Sequence, residues 1–143
     1  RNEFEACRRS HRQATILLID IDHFKTINDT WGHDVGDEAI VAITRQLQLT
    51  LRSGDYIGRF GGDEFAVIMS GTPADSAIAA MSRVHERLVN MPLHGAPTAR
   101  LCISVGVAPW GAQFTHYREW LKAADVALYK AKNAGRGRTE VAA

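Results

Sequence analysis

The chain has 143 residues, 45% of them hydrophobic and 23% charged, the proportions of one ordinary soluble domain with its own core. Its net charge of +1 and pI near 8.0 supply no bulk field for nucleic acid or an anionic membrane. No apolar run reaches the roughly 18 residues of a membrane span, and no stretch of these residues reads as a signal peptide. The two cysteines, Cys7 and Cys102, lack metal-ligand spacing and read as reduced, partly buried thiols.

In chain order, Arg1 to Gln13 reads as the middle of a helix, with no cap and no initiating methionine. Ala14 to Asp20 is a continuous apolar run ending in an acid, the pattern of a buried central strand. His23 to Thr30 reads as a short helix closed near Gly32. Asp34 to Arg52 carries Val35, Ala39, Ile43, Leu47 and Leu51 at helical spacing. Asp55 to Phe60 and Phe65 to Met69 are rich in strand formers and predict a β-hairpin. Gly61 and Gly62 at its tip are both free to take positive φ. Pro73 opens a helix at its first turn, running to about Asn90. Residues 92–97 form a loop, and Ala99 to Ala108 alternates enough for a strand. Tyr117 to Ala134 is an amphipathic helix stopped by Gly135, with a short last strand near Thr139. The order βααββαβα matches a split β-α-β arrangement, an α/β (α+β) fold with helices on one side of the sheet. In that topology the first strand lies antiparallel to the third, which carries Asp20 to the hairpin tip and Asp63.

Asp63 and Glu64 follow the two glycines directly. Adjacent acids repel each other unless a cation offsets them, and the glycines let a bulky group approach the backbone. The combination suggests a metal-assisted phosphate site, with Asp20 and Asp63 as oxygen ligands of a hard divalent cation. His23, Phe24 and Lys25 follow a strand and open a helix, where free N–H groups attract an anion.

Residues Arg59 to Phe65 resemble the GGDEF signature of diguanylate cyclases. Other family blocks stand at matching spacing: Asp20 to Lys25, Ile27 to Asp29, Gly32-His33, Gly36-Asp37, Ala124 to Lys132, and Gly135-Arg136. The resemblance covers almost the whole chain. Within the family, Trp31 to Asp34 and the ending Thr139 to Ala143 resemble the AdrA type. The resemblance implies a nucleotidyl-cyclase palm-like, ferredoxin-like sheet surrounded by helices, spanning residues 1–143. It implies that two GTP become cyclic di-GMP and two pyrophosphates, with Mg2+, or Mn2+ in its place, in a facing homodimer. Asp20, Asp63 and the backbone carbonyl of Ile21 would bind the metal. Glu64 would help a second metal or take the hydroxyl proton, and the choice of base between Asp63 and Glu64 stays open. Lys25 would stabilise charge. His23, Phe24 and Gly62 would hold nucleotide, and Lys132 and Arg136 the terminal phosphates. Asn28 and Asp37 would read guanine, whose N1–H and amine suit a carboxylate acceptor, with His33 beside them. Arg52 and Asp55 resemble the family's RxxD product-inhibition site, with Arg83 as a second arginine.

Each residue also has an ordinary structural use. Asp20 and Asp22 suit helix capping, and Phe24, Ala127, Leu128 and Tyr129 suit core packing. Asn28 suits helix termination; Asp37, Lys132 and Arg136 suit helix dipoles. Arg52 suits a local ion pair with Asp55. The missing start of the family pattern leads us to expect a piece of a longer protein with a sensor, receiver or membrane module. This domain would then be cytoplasmic, without touching membrane itself, in a protein anchored in the bacterial inner membrane. The rival readings are a degenerate domain that only binds cyclic di-GMP, and a different palm-like nucleotidyl cyclase.

Overall fold

The computed structural model describes residues 2–10 and 12–142. The elements run α1 (Asn2–Ser10), β1 (Ala14–Ile21), α2 (Phe24–Trp31), α3 (His33–Thr50), β2 (Tyr56–Phe60), β3 (Glu64–Ser70), α4 (Ala74–Val89), β4 (Ile103–Pro109), α5 (Tyr117–Asn133) and β5 (Thr139–Val141). The expected order therefore holds, including the helix read at the front and the short last strand near Thr139. The sheet runs β2-β3-β1-β4-β5. β1 is antiparallel to both β3 and β4, and β5 joins parallel to β4.

Both faces of the sheet are covered, so the one-sided helix layer is corrected, and the sheet surrounded by helices is what forms. Leu17, Ile19 and Ile21 of β1 join Phe65, Val67 and Met69 of β3 in a core completed by α3 and α4. Ile16 and Leu18 face the other way, onto Phe4 and Cys7 of α1 and Trp120, Ala124 and Leu128 of α5. An unbroken apolar strand is buried on two faces, and β1 is buried at every position. Among the described residues no helix is long and apolar enough to cross a membrane.

Four local expectations shift. β4 begins at Ile103, not Ala99, and residues 103–108 are all buried, so no alternation exists there. Pro73 is the cap of α4 in extended backbone, one position before the helix. Only Gly61 takes a positive φ at the hairpin tip, 65°. Tyr129 lies 66% exposed rather than in the core.

Two contacts set α5 against the sheet. The Trp120 indole donates to the Ala108 carbonyl at 2.9 Å. Gly106 of β4 lies under α5 so closely that a Cβ there would overlap the backbone of Ala124 and Leu128. Glycine at this point lets the helix settle onto the sheet, which places Lys132 over the end of β1.

Candidate active site

The register of β1 and β3 pairs Asp20 with Glu64, and the Ile21 N–H donates to the Asp63 carbonyl at 3.1 Å. Asp20 and Asp63 thus converge as the topology predicts. Directly paired residues share a face, so Glu64 lies on the Asp20 side. Phe60 pairs with Glu64, which leaves Gly61, Gly62 and Asp63 as the turn. Asp63 escapes strand alternation for that reason and comes within electrostatic reach of both Asp20 and Glu64. The Asp63 carboxyl is pushed up to about 6, first by burial, then by its hydrogen bond with Asp20 and by repulsion from Asp20 and Glu64.

Asp20 is buried. Its Oδ2 is paired with Lys132 Nζ of α5, and its Oδ1 is buried without a hydrogen-bond partner. Among the described residues no three His, Cys, Asp or Glu side chains converge as a metal cage. The acids therefore form an incomplete donor set, which suits a cation that completes its shell with backbone and phosphate oxygens. Glu64 also lines a cleft of about 350 Å³ beside Arg118, Lys122 and Lys132.

His23 stands at the start of α2 with left-handed backbone, φ 55°, and no side chain caps the helix there. Among the described residues, no side chain therefore accepts from the first N–H groups of α2. Phe24 packs partly buried on the core, while His23, Lys25, His33 and Asp37 are exposed. Lys25 makes no ion pair among the described residues and is not brought onto the acids. Asn28 lies on Gly36 of α3, where any Cβ would overlap its Oδ1. The missing side chain at Gly36 brings Asn28 against the first turns of α3, next to Asp37.

Asp22 is no helix cap. Its Oδ1 accepts from the Ser104 hydroxyl at 2.5 Å and its Oδ2 from the Gly137 N–H at 2.8 Å. Arg136 Nη1 stands 4.0 Å from Oδ1. Ser104 went unnoticed in the sequence. A lone hydroxyl inside the apolar run Leu101 to Val107 was its signal, since a buried hydroxyl needs a partner.

Arg52, Asp55 and Arg83 gather elsewhere. Asp55 accepts from the Arg52 N–H at 2.9 Å and the Ser70 N–H at 3.0 Å. The Arg52 guanidinium instead donates to Thr72 Oγ1 at 2.7 Å, so the local side-chain ion pair with Asp55 does not form. Arg52 and Arg83 line one cleft of about 270 Å³ with Thr72 and Ser76. Ser70 and Glu64 are opposite ends of β3, so this cleft lies about 20 Å from the acids at ~3.3 Å per strand residue.

Comparison with known proteins agrees with this arrangement. The family described as "Diguanylate cyclase, GGDEF domain" matches residues 1–138. The chain is 74% identical over 143 residues to "Probable diguanylate cyclase DgcC" of Escherichia coli strain K12, covering all of this chain and 38% of that protein. It is 40% identical over 124 residues to "Diguanylate cyclase DgcM" of the same strain, covering 87% of this chain and 30% of the relative. It thus spans well under half the length of these relatives. Among solved structures, the active GGEEF domain of a diguanylate cyclase from Vibrio cholerae superposes with a TM-score of 0.94 at 29% identity, covering 100% of this chain and 91% of that one. The GGDEF domain of DgcB from Caulobacter crescentus, in complex with c-di-GMP, gives 0.92 at 25% identity, covering 98% and 84%. A match across residues 1–138, on a fold that gathers the signature acids at one sheet end, shows that the chain belongs to the GGDEF diguanylate cyclase family.

Proposed function

We propose that this chain is the catalytic domain of a diguanylate cyclase, which condenses two GTP into cyclic di-GMP and two pyrophosphates. The observation that carries the reading is the apposition of buried Asp20 and half-buried Asp63, with one Asp20 oxygen unpartnered and the Asp63 carboxyl raised to about 6. Apposed acids that repel each other fit a divalent cation, and an all-oxygen set fits magnesium or manganese. Asp20, Asp63 and the Ile21 carbonyl would hold it. When bound, it would offset charge on the α-phosphate and leaving pyrophosphate and lower the pKa of the attacking hydroxyl.

The chain's own residues do the rest. The uncapped N–H groups of α2 at His23 and Phe24 bind phosphate oxygens. Gly62 leaves the hairpin tip clear for the nucleotide. Lys132 and Arg136 hold the terminal phosphates, and Lys25 stabilises charge. Asn28 and Asp37 read the guanine edge, with His33 beside them. The 3′-hydroxyl of one GTP attacks the α-phosphate of another, and its proton passes to Asp63 or Glu64. One domain holds one GTP, so two copies face each other, and orientation supplies much of the acceleration. Arg52, Asp55 and Arg83 bind the product as an inhibitor. The domain works in the cytoplasm of a longer protein anchored at the inner membrane.

Incubation with GTP and Mg2+, followed by mass spectrometry, tests this reading. Cyclic di-GMP and pyrophosphate are expected, with no product from ATP. Binding of cyclic di-GMP without turnover would make the domain a sensor instead.

A further inference from the structure

We propose that Asp22 is a positioning residue: it holds Arg136 at the polyphosphate end of the nucleotide site. The inference rests on the reading of Arg136 as a phosphate ligand. After α5 the backbone turns through three successive left-handed residues, Gly135 at φ 118°, Arg136 at 65° and Gly137 at 56°. A side-chain-bearing residue rarely adopts that conformation, and it persists only where neighbours over-determine it. Three backbone N–H hydrogen bonds do so. The Arg136 N–H donates to the Ala131 carbonyl at 3.0 Å, and the Arg138 carbonyl accepts from the Val105 N–H at 2.9 Å. Between these anchors, Asp22 takes the Gly137 N–H and draws the Arg136 guanidinium to 4.0 Å.

Asp22 is itself fixed. Its side chain is 3% exposed, and the Ser104 hydroxyl of β4 donates to it. Both carboxylate oxygens are thus engaged by protein donors. Asp20, two residues earlier, differs in keeping a buried oxygen unpartnered. The end of β1 therefore carries two acids with divided work: Asp20 faces Asp63, and Asp22 ties the turn after α5 to the strand. Arg136 keeps a side chain 40% exposed, so it is oriented by Asp22 yet open to a ligand.

Calorimetry with GMP and the non-cleavable α,β-methylene analogue of GTP tests the proposal on the wild-type chain, Arg136→Ala, Asp22→Asn, Ser104→Ala and the double variant Asp22→Asn/Arg136→Ala. Arg136→Ala should reduce the preference for the triphosphate over GMP about tenfold, the loss of one charge-assisted contact. Asp22→Asn should reduce it by a similar factor, with GMP affinity within about twofold of wild type. The double variant should lose no more than either single one, because both act through one group. A general structural role would weaken both ligands alike. Wild-type preference in Asp22→Asn, or additive losses in the double variant, would overturn the inference. If Asp22→Asn does not fold, Ser104→Ala decides: a loss of about threefold in the same preference supports the proposal, and none overturns it. An unchanged preference in Arg136→Ala would remove the phosphate assignment of Arg136, and this inference with it.

Discussion

Asp63 shows how one carboxyl carries both a stability and a binding signature. Its folded-state value of about 6 lies above its ordinary 3.8, so the folded chain holds this proton more tightly than the unfolded chain. The group's favourable contribution is fully present below pH 4 and disappears as pH rises through 6. Without metal, Asp63→Asn should therefore raise the thermal midpoint at pH 7.5 and leave it nearly unchanged at pH 4. Added Mg2+ should raise the wild-type midpoint more at pH 7.5 than at pH 5, and do little for the variant. Melting curves at these pH values check both; equal gains at acid and neutral pH would contradict the raised Asp63 carboxyl. Asp37 offers a second test. It is exposed, free to accept from guanine, so Asp37→Ala should weaken GTP binding by about 1.5–3 kcal/mol and leave ATP binding little changed. Competition binding with both nucleotides measures this, and equal losses would return Asp37 to the helix dipole. Asp63 and Glu64 were legible in sequence because adjacent acids after two glycines are chemically odd, and Asp20 because it ends an apolar run that the topology carries to the same hairpin tip. Asp22 was not: its partners Ser104 and Gly137 lie far along the chain, and no local spacing announces them.

At the scale of elements, two glycines make opposite forecasts. A methyl at Gly36 would strike the tip of the Asn28 side chain, which can rotate away; one at Gly106 would strike the backbone of α5. Gly36→Ala should keep the wild-type midpoint within a few degrees and yet weaken GTP binding, because Asn28 is displaced. Gly106→Ala should destabilise the domain by about 1–3 kcal/mol as an overpacked core does. Urea titrations on both variants separate the cases, and an unaffected Gly106→Ala would deny the close seat of α5. Element type and order were readable from periodicity, since the strand and helix periods differ. Periodicity with the split β-α-β pattern put helices on one side only, whereas the sheet surrounded by helices that the resemblance implies is what forms. The continuous apolar run of β1 already implied two buried faces, but Phe4, Trp120 and Leu128 show only in three dimensions that α1 and α5 cover the second.

The whole molecule separates its proposed synthesis and feedback sites along β3. The acids lie at Glu64, the Arg52–Asp55 loop at Ser70. In the proposed reading, product bound at Arg52 would lie far from Asp20 and Asp63 and would inhibit by holding two domains in a pose that keeps their nucleotides apart. Arg52→Ala should relieve inhibition by added cyclic di-GMP and leave the initial rate nearly intact; inhibition as strong as wild type would dismiss this cleft. If, as proposed, each domain supplies one GTP, specific activity should also rise with protein concentration. The most direct measurement is cyclic di-GMP formation from GTP and Mg2+ by wild type, Asp20→Asn and Asp63→Asn, with folding verified by melting curves. The account predicts product from wild type, folded variants, and a rate at least about a thousandfold lower in each; near-normal synthesis by either variant would contradict it.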